Sequence, residues 1–402
     1  MTTSSFHYKP VVFTTLGLSV LASAAVLPII APLIRSLHLS PSQGGWMLSI
    51  GSLVMTLAAP VWGRAADRIG RRQVMLAGFA GMGAAYLVFA LTVKLGQWGW
   101  YAGWALLAAV TAGRALLGAF LPSVTAAAQA LVADHTTEAE RSRGMAVIGA
   151  ANGAGFVLGP ALGGLASAGG LLWPLVAAGA LCLVAMAYTA VRLPRLPRWD
   201  DAAPRVAPPG RIGWAAGRWL LASALTWFAI VSVQIAGSFY FQERLGLANE
   251  QAAPRLAIAL TLCGASLLAV QLLQLRRLRW GPQPLVISGA LLWTVATLVL
   301  LFTADAAAYL VGYAMLGAAA GLLLPGCLAG ASLAAPRDSQ GAIAGLSAAA
   351  QGIGFVVGPV ASTLLYEIDP SAPLWCLAMV MQVLAVLAFA PEWLASRRAV
   401  ET

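Results

Sequence analysis

Eleven long stretches of this 402-residue chain lack Asp, Glu, Lys and Arg, apart from a single Arg114 inside residues 95–133. A helix crossing a bilayer needs about 20 mostly apolar residues, and each stretch is long enough for one. Residues 144–191 are long enough for two, with a turn near Ser167 to Gly170, so twelve spans are expected. Only 9% of the residues are charged and the mean hydropathy is +0.82, which excludes an ordinary soluble globule. Lys9 followed by apolar residues and "ASA" at Ala22 to Ala24 has the outline of a signal peptide. The apolar run continues through "VLPIIAPLI", so it is read as the first span.

Orientation follows from the positive charges, which favour cytoplasmic loops. With the N-terminus inside, cytoplasmic segments hold nineteen of the 24 Lys and Arg, leaving only Arg35, Lys94, Arg244 and Arg255 outside and Arg114 within a span. The expected location is the inner cell membrane, multi-pass, with both termini cytoplasmic. The net charge of +10 is thereby a topology signal, and no nucleic-acid partner is expected. Cys182, Cys263, Cys327 and Cys376 stand alone in apolar spans and read as packing residues.

The sequence repeats itself. "NGAGFVLGP" from Asn152 matches "QGIGFVVGP" from Gln351, and "RALLG" from Arg114 matches "YAMLG" from Tyr313, both 199 positions apart. "LHLSPSQ" from Leu37 matches "LGLANEQ" from Leu245 at a spacing of 208, where Arg71 also falls on Arg279. A duplication explains this. The expected organisation is a six-helix half over residues 1–191, a proline- and arginine-rich cytoplasmic linker over 192–218, and a second half over 219–402. Parallel repeats of this kind place a ligand site midway across the membrane, around a central cavity.

Two segments depart from the apolar background. "GRAADRIGRRQVM" (Gly63 to Met75) concentrates five charges in thirteen residues, and "GFVLGPALGG" (Gly155 to Gly164) sets Gly155, Gly159 and Gly163 four residues apart on one helix face beside Pro160. Glycines so spaced let membrane helices touch. The first segment resembles the loop between the second and third helices of the major facilitator superfamily. The second is similar to the fifth-helix signature of its twelve-helix drug and metabolite:proton antiporters. The resemblance covers the whole chain through helix count, duplication, linker and motif order.

What the resemblance implies is an all-α integral membrane protein that exports a small amphipathic molecule (a metabolite, siderophore-like chelator or drug) by alternating access against protons. Gly63, Asp67, Arg68, Gly70, Arg71 and Arg72 would form a conformational latch, with Gly63 permitting close helix approach and Gly70 a turn of positive φ. The fifth-helix motif Gly155, Gly159, Pro160, Gly163 and Gly164 would pack against a helix of the other half. Ser23, Arg114, Trp227, Gln234 and Tyr313 are the expected substrate contacts. All 14 acids fall in loops or at helix ends, leaving Glu243 and Asp134 as possible proton carriers. A span charge such as Arg114 normally faces a wet cavity, and with no carboxylate beside it the substrate is expected to be anionic, zwitterionic or neutral.

No phosphate-cradling loop or metal-ligand cluster is present in the sequence, and His7, His38 and His135 lie outside the spans, so neither an enzyme nor a cofactor is expected. The expected partners are a small-molecule substrate, protons and the lipid bilayer, with the chain a monomer. An importer or an uncoupled facilitator is the alternative within transport. A non-transporting receptor or assembly factor would need a soluble domain that the longest non-spanning segment, the linker, is too short to supply.

Overall fold

The computed structural model describes residues 8–136, 141–194, 214–277, 280–335 and 340–389. Most of the 192–218 linker, Arg279 and Arg337 lie outside them. Among the described residues there is no strand, and twelve helical segments are long and apolar enough to span a membrane.

The first span is broken. α1 (Tyr8–Ala25) gives way to a 3₁₀ turn (Leu27–Ile29) and resumes as α2 (Ile30–Ser36), because Pro28 and Pro32 remove two helix donors within five residues. α3 (Pro41–Ile69) starts at a capping box in which the Ser40 hydroxyl accepts from the Gln43 N–H and the Gln43 side chain accepts from the Ser40 N–H. α4 (Arg71–Gln97), α5 (Gly103–Asp134), α6 (Arg141–Ser167) and α7 (Trp173–Arg192) follow, with the expected turn between α6 and α7 passing through Gly170 at φ +123°. The later helices are α8 (Trp214–Arg244), α9 (Asn249–Arg276), α10 (Pro282–Phe302), α11 (Ala306–Leu333), α12 (Gln340–Ile368) and α13 (Ala372–Phe389).

Packing divides the described chain into two compact units, the first within Met1–Pro204 plus Gly246–Thr261, the second within Arg205–Leu245 plus Leu262–Thr402. In the first, α1 packs on α6 and α7, and α4 on α5 and α7. In the second, α8 packs on α12 and α13, and α10 on α11 and α13. These are the same pairs under the sequence duplication.

The equivalence extends to single contacts. Gly155 lies against Val20 and Leu21 of α1, where a Cβ would fall 2.7 Å from the Val20 Cβ; Gly354 lies against Trp227 and Phe228 of α8, where it would fall 2.6 Å from the Trp227 Cβ. Small residues thus set the helix seams in both halves, consistent with association driven by close packing and not by expulsion of water.

Candidate functional site

Arg114 sits a third of the way along α5, partly buried, with its Cγ against Gly51 of α3. A Cβ on Gly51 would lie 2.8 Å from that carbon, so the glycine makes room for the arginine stem. The side chain borders a recess of about 580 Å³ including its open mouth, shared with Ser23, Tyr86 and Phe89 and walled by Ile29, Ile30, Leu33, Met47, Leu48, Leu117 and Leu121. The break in the first span shapes one wall of it, since Val26, Leu27 and Ile29 belong to that break or border it.

Ser23 and Arg114 are therefore brought together as expected, while Tyr86 and Phe89 of α4 were missed. Their only signal was a tyrosine and a phenylalanine in an apolar span. The Ser23 hydroxyl donates to the Ser19 carbonyl at 2.9 Å, leaving its oxygen free to accept. Among the described residues no carboxylate pairs with Arg114 and no protein acceptor bonds its guanidinium. Five N–H donors facing a mostly apolar wall favour a ligand group carrying negative charge or strong acceptors.

The other expected contacts belong to the second unit. Tyr313 is fully buried on α11, its ring edge-on to Phe241 at 6.0 Å and its hydroxyl beside Gly237 of α8 without a hydrogen-bond partner. Trp227 is engaged in the α8–α12 seam, its backbone under Gly354 and its ring 5.4 Å from Phe355. Gln234 is half-buried, and its carbonyl accepts the Ser238 hydroxyl at 2.5 Å. At the end of α8, Glu243 accepts a hydrogen bond from Tyr366 of α12.

The charged loop is a clamp on helix ends. Gly70 adopts φ +96°, the left-handed turn that glycine tolerates, and this swings Arg71 back across the end of α3. The Arg71 guanidinium donates to both oxygens of Asp134 at the end of α5, from Nε at 2.8 Å and Nη2 at 3.3 Å, and to the Ala66 carbonyl at 2.8 Å. Asp67 also reaches Arg71, at 3.1 Å, but from a side chain 54% exposed, against 18% for Asp134. Arg72 donates to the Ala190 carbonyl in the last turn of α7 at 2.9 Å. Cations on terminal carbonyls complement the helix dipoles, so two adjacent arginines tie the ends of α3, α5 and α7 together. Arg68 is exposed.

Gly63 departs from expectation. A Cβ there would meet nothing within 4 Å, so it mediates no close helix approach.

The Major Facilitator Superfamily family profile matches residues 12–278 and again residues 273–399. The chain belongs to this superfamily. It is 28% identical over 393 residues to the class C tetracycline resistance protein of Escherichia coli, covering 90% of each chain. It is 26% identical over 175 residues to Multidrug resistance protein 2 of Bacillus subtilis (strain 168), 44% of this chain and 41% of that relative. The crystal structure of the human organic anion transporter MFSD10 superposes with a TM-score of 0.69 at 22% identity, over 96% of this chain and 100% of the other, a likeness of fold. The protein is thus a multi-pass membrane transporter of small molecules and not an enzyme.

In this transporter the glycine stripe of α6 corrects the expectation drawn for it. Gly155, Gly159 and Gly163 press on Val20, Leu21, Ala24 and Ala25 of α1, in their own half. Only Gly164, rotated off that stripe, meets α9, against Ala257 and Pro254. Four-residue spacing fixes which residues share a face, but leaves the partner helix open.

Proposed function

We propose that this transporter exports a small amphipathic molecule by alternating access in exchange for protons, with its termini and arginine-bearing loops in the cytoplasm and the chain in the inner membrane. The observation that carries the reading is Arg114, a cation without a carboxylate partner among the described residues, in a recess otherwise lined by Ser23, Tyr86 and apolar side chains. Such a recess takes an acceptor-rich or anionic head and an apolar body, and it compensates poorly for the lost hydration of a cation. The names of the relatives, resistance proteins for tetracycline and for multiple drugs, support efflux. The similarity in fold to MFSD10, an organic anion transporter, is in keeping with the charge of the recess.

Residues 1–191 and 219–402 act as the two moving halves in this reading, tethered by 192–218. Trp227 and Gln234, partly buried on α8, offer the substrate the second half's aromatic and amide groups in this reading, while Tyr313, fully buried, supports α8 from α11. Asp134 is committed to Arg71, which leaves Glu243, hydrogen-bonded to Tyr366, as the better proton carrier. Asp67, more exposed than Asp134, remains the latch residue that changes partners between states.

Inside-out vesicles containing the protein, acidified within and loaded with a pH-sensitive dye, test the reading. Protein-dependent proton release on adding an anionic chelator or carboxylate metabolite is expected, and is lost in Arg114→Gln. Uptake of such a ligand without proton movement would overturn the coupling. A response confined to lipophilic cations would overturn the substrate class.

A further inference from the structure

We infer that the protein self-associates in the membrane through the outer face of α13, with Gln382 at the centre of the contact. The buried side of α13 is Leu374, Leu377, Ala378, Met381, Leu384 and Ala388. Its opposite side shows Met379, Val383 and Val386 at 66%, 53% and 67% exposure, an apolar stripe of the kind that faces lipid. Gln382 stands in that stripe and is exposed.

Its depth makes the amide conspicuous. Ten residues of α13 precede Gln382 and seven follow it, so at 1.5 Å per residue it lies about 15 Å from one end and about 10 Å from the other. A glutamine side chain is too short to reach either interface. The Nε2 group donates one hydrogen bond, to Thr294 Oγ1 of α10 at 2.8 Å, and that hydroxyl is itself satisfied through the Ala290 carbonyl at 3.0 Å. The second amide hydrogen and Oε1 have no partner among the described residues, and hydrocarbon supplies none. An unpaired polar group there is expensive.

The duplication shows that this position does not require an amide. At the 199-residue spacing, Gln382 falls on Leu183 of α7, also exposed. The first half thus presents leucine to lipid where the second presents glutamine.

A primary amide carries one acceptor and donors on the same plane, so two of them across a two-fold axis satisfy each other reciprocally. A second copy of this chain is the partner that supplies the complementary group at the same depth without further assumption. The flanking Met379 and Val386 supply the packing that drives helix association in lipid. This departs from the monomer expected from sequence.

The test uses the full chain in synthetic phospholipid liposomes, labelled separately with donor and acceptor fluorophores and diluted with lipid. Energy transfer above the random co-occupancy level is expected for the native chain. The lipid dilution that halves it should fall roughly tenfold in Gln382→Leu. Thr294→Val, which removes only the bond within the chain, should leave transfer intact. Val386→Cys in a Cys376→Ala background should cross-link between copies while Gln382 is present, a positive signal that does not depend on a loss variant. Native-chain transfer at the random level would overturn the inference, as would transfer and cross-linking indifferent to Gln382→Leu. Loss of transfer in Thr294→Val equal to that in Gln382→Leu would also overturn it, by assigning Gln382 to the fold of its own half.

Discussion

Replacing Asp134 by Asn should destabilise the protein far more than replacing Asp67, although Asp67 is the acid inside the signature loop. Asp134 takes two hydrogen bonds from Arg71, at 2.8 and 3.3 Å, and both side chains are less than one-fifth exposed. Exposed ion pairs contribute about 0–1 kcal/mol, and removing one member of a fully buried pair costs about 3–5 kcal/mol. This pair lies between those limits, and Arg71 would keep the Ala66 carbonyl and Asp67 as partial compensation. The expected cost of Asp134→Asn is therefore about 2 kcal/mol, roughly 30-fold in the unfolding equilibrium. Asp67→Asn removes one contact at 3.1 Å from a side chain 54% exposed and should cost less than about 0.5 kcal/mol. The assay is thermal unfolding of purified protein in detergent, run as a double-mutant cycle with Arg71→Gln and Asp134→Asn. A coupling energy of about 1–2 kcal/mol is expected for that pair. Equal destabilisation by the two acid substitutions, or a coupling near zero, would refute the clamp.

Transport separates clamp from latch: Asp67→Asn should reduce transport while expression and melting temperature hold, and full activity in that variant would remove Asp67 from the cycle. Gly118→Ala should lower stability, since a Cβ there would run into the Gly51 backbone carbonyl of α3 and overpacking costs about 1–3 kcal/mol. Gly63→Ala, with open space around it, should be tolerated, and the same melting experiment distinguishes them. Arg114→Lys should retain binding of an anionic ligand better than Arg114→Gln, as read by ligand-induced thermal shift. Equal shifts in the two would mean that charge at this position does not matter. Glu243→Gln should leave ligand binding in place but abolish ligand-driven proton release; unchanged release would exclude Glu243 as the carrier.

The parts of this protein that were legible in its sequence are those set by composition along a single helix. Charge-free runs gave the twelve spans, and the repeats at 199 and 208 positions indicated which helices of the two halves are equivalent, an equivalence that recurs in the packing of α1 on α6 and α8 on α12. Gly70 was legible because its requirement is local, a backbone angle of +96°. What stayed hidden were choices of partner between elements distant in the chain. Arg71 and Asp134 are 63 positions apart, and an arginine four residues from Asp67 gives no sign that it will also reach the end of α5. The glycines of α6 announce a seam but do not name α1 as its other side. Tyr86 joins Arg114 because α4 packs on α5, and the broken first span supplies another wall of the same recess. The apolar composition of that run marks only a continuous span, so the break at Leu27–Ile29 went unanticipated despite its prolines. Gln382 presents the same problem on the outer surface. The sequence shows a polar residue in an apolar helix, and such residues are usually turned inward toward protein or water. Only the position of the buried stripe, with Met381 and Leu384 on the far side, places this one on the exposed face of α13, where among the described residues its amide is bonded only through Nε2 to Thr294.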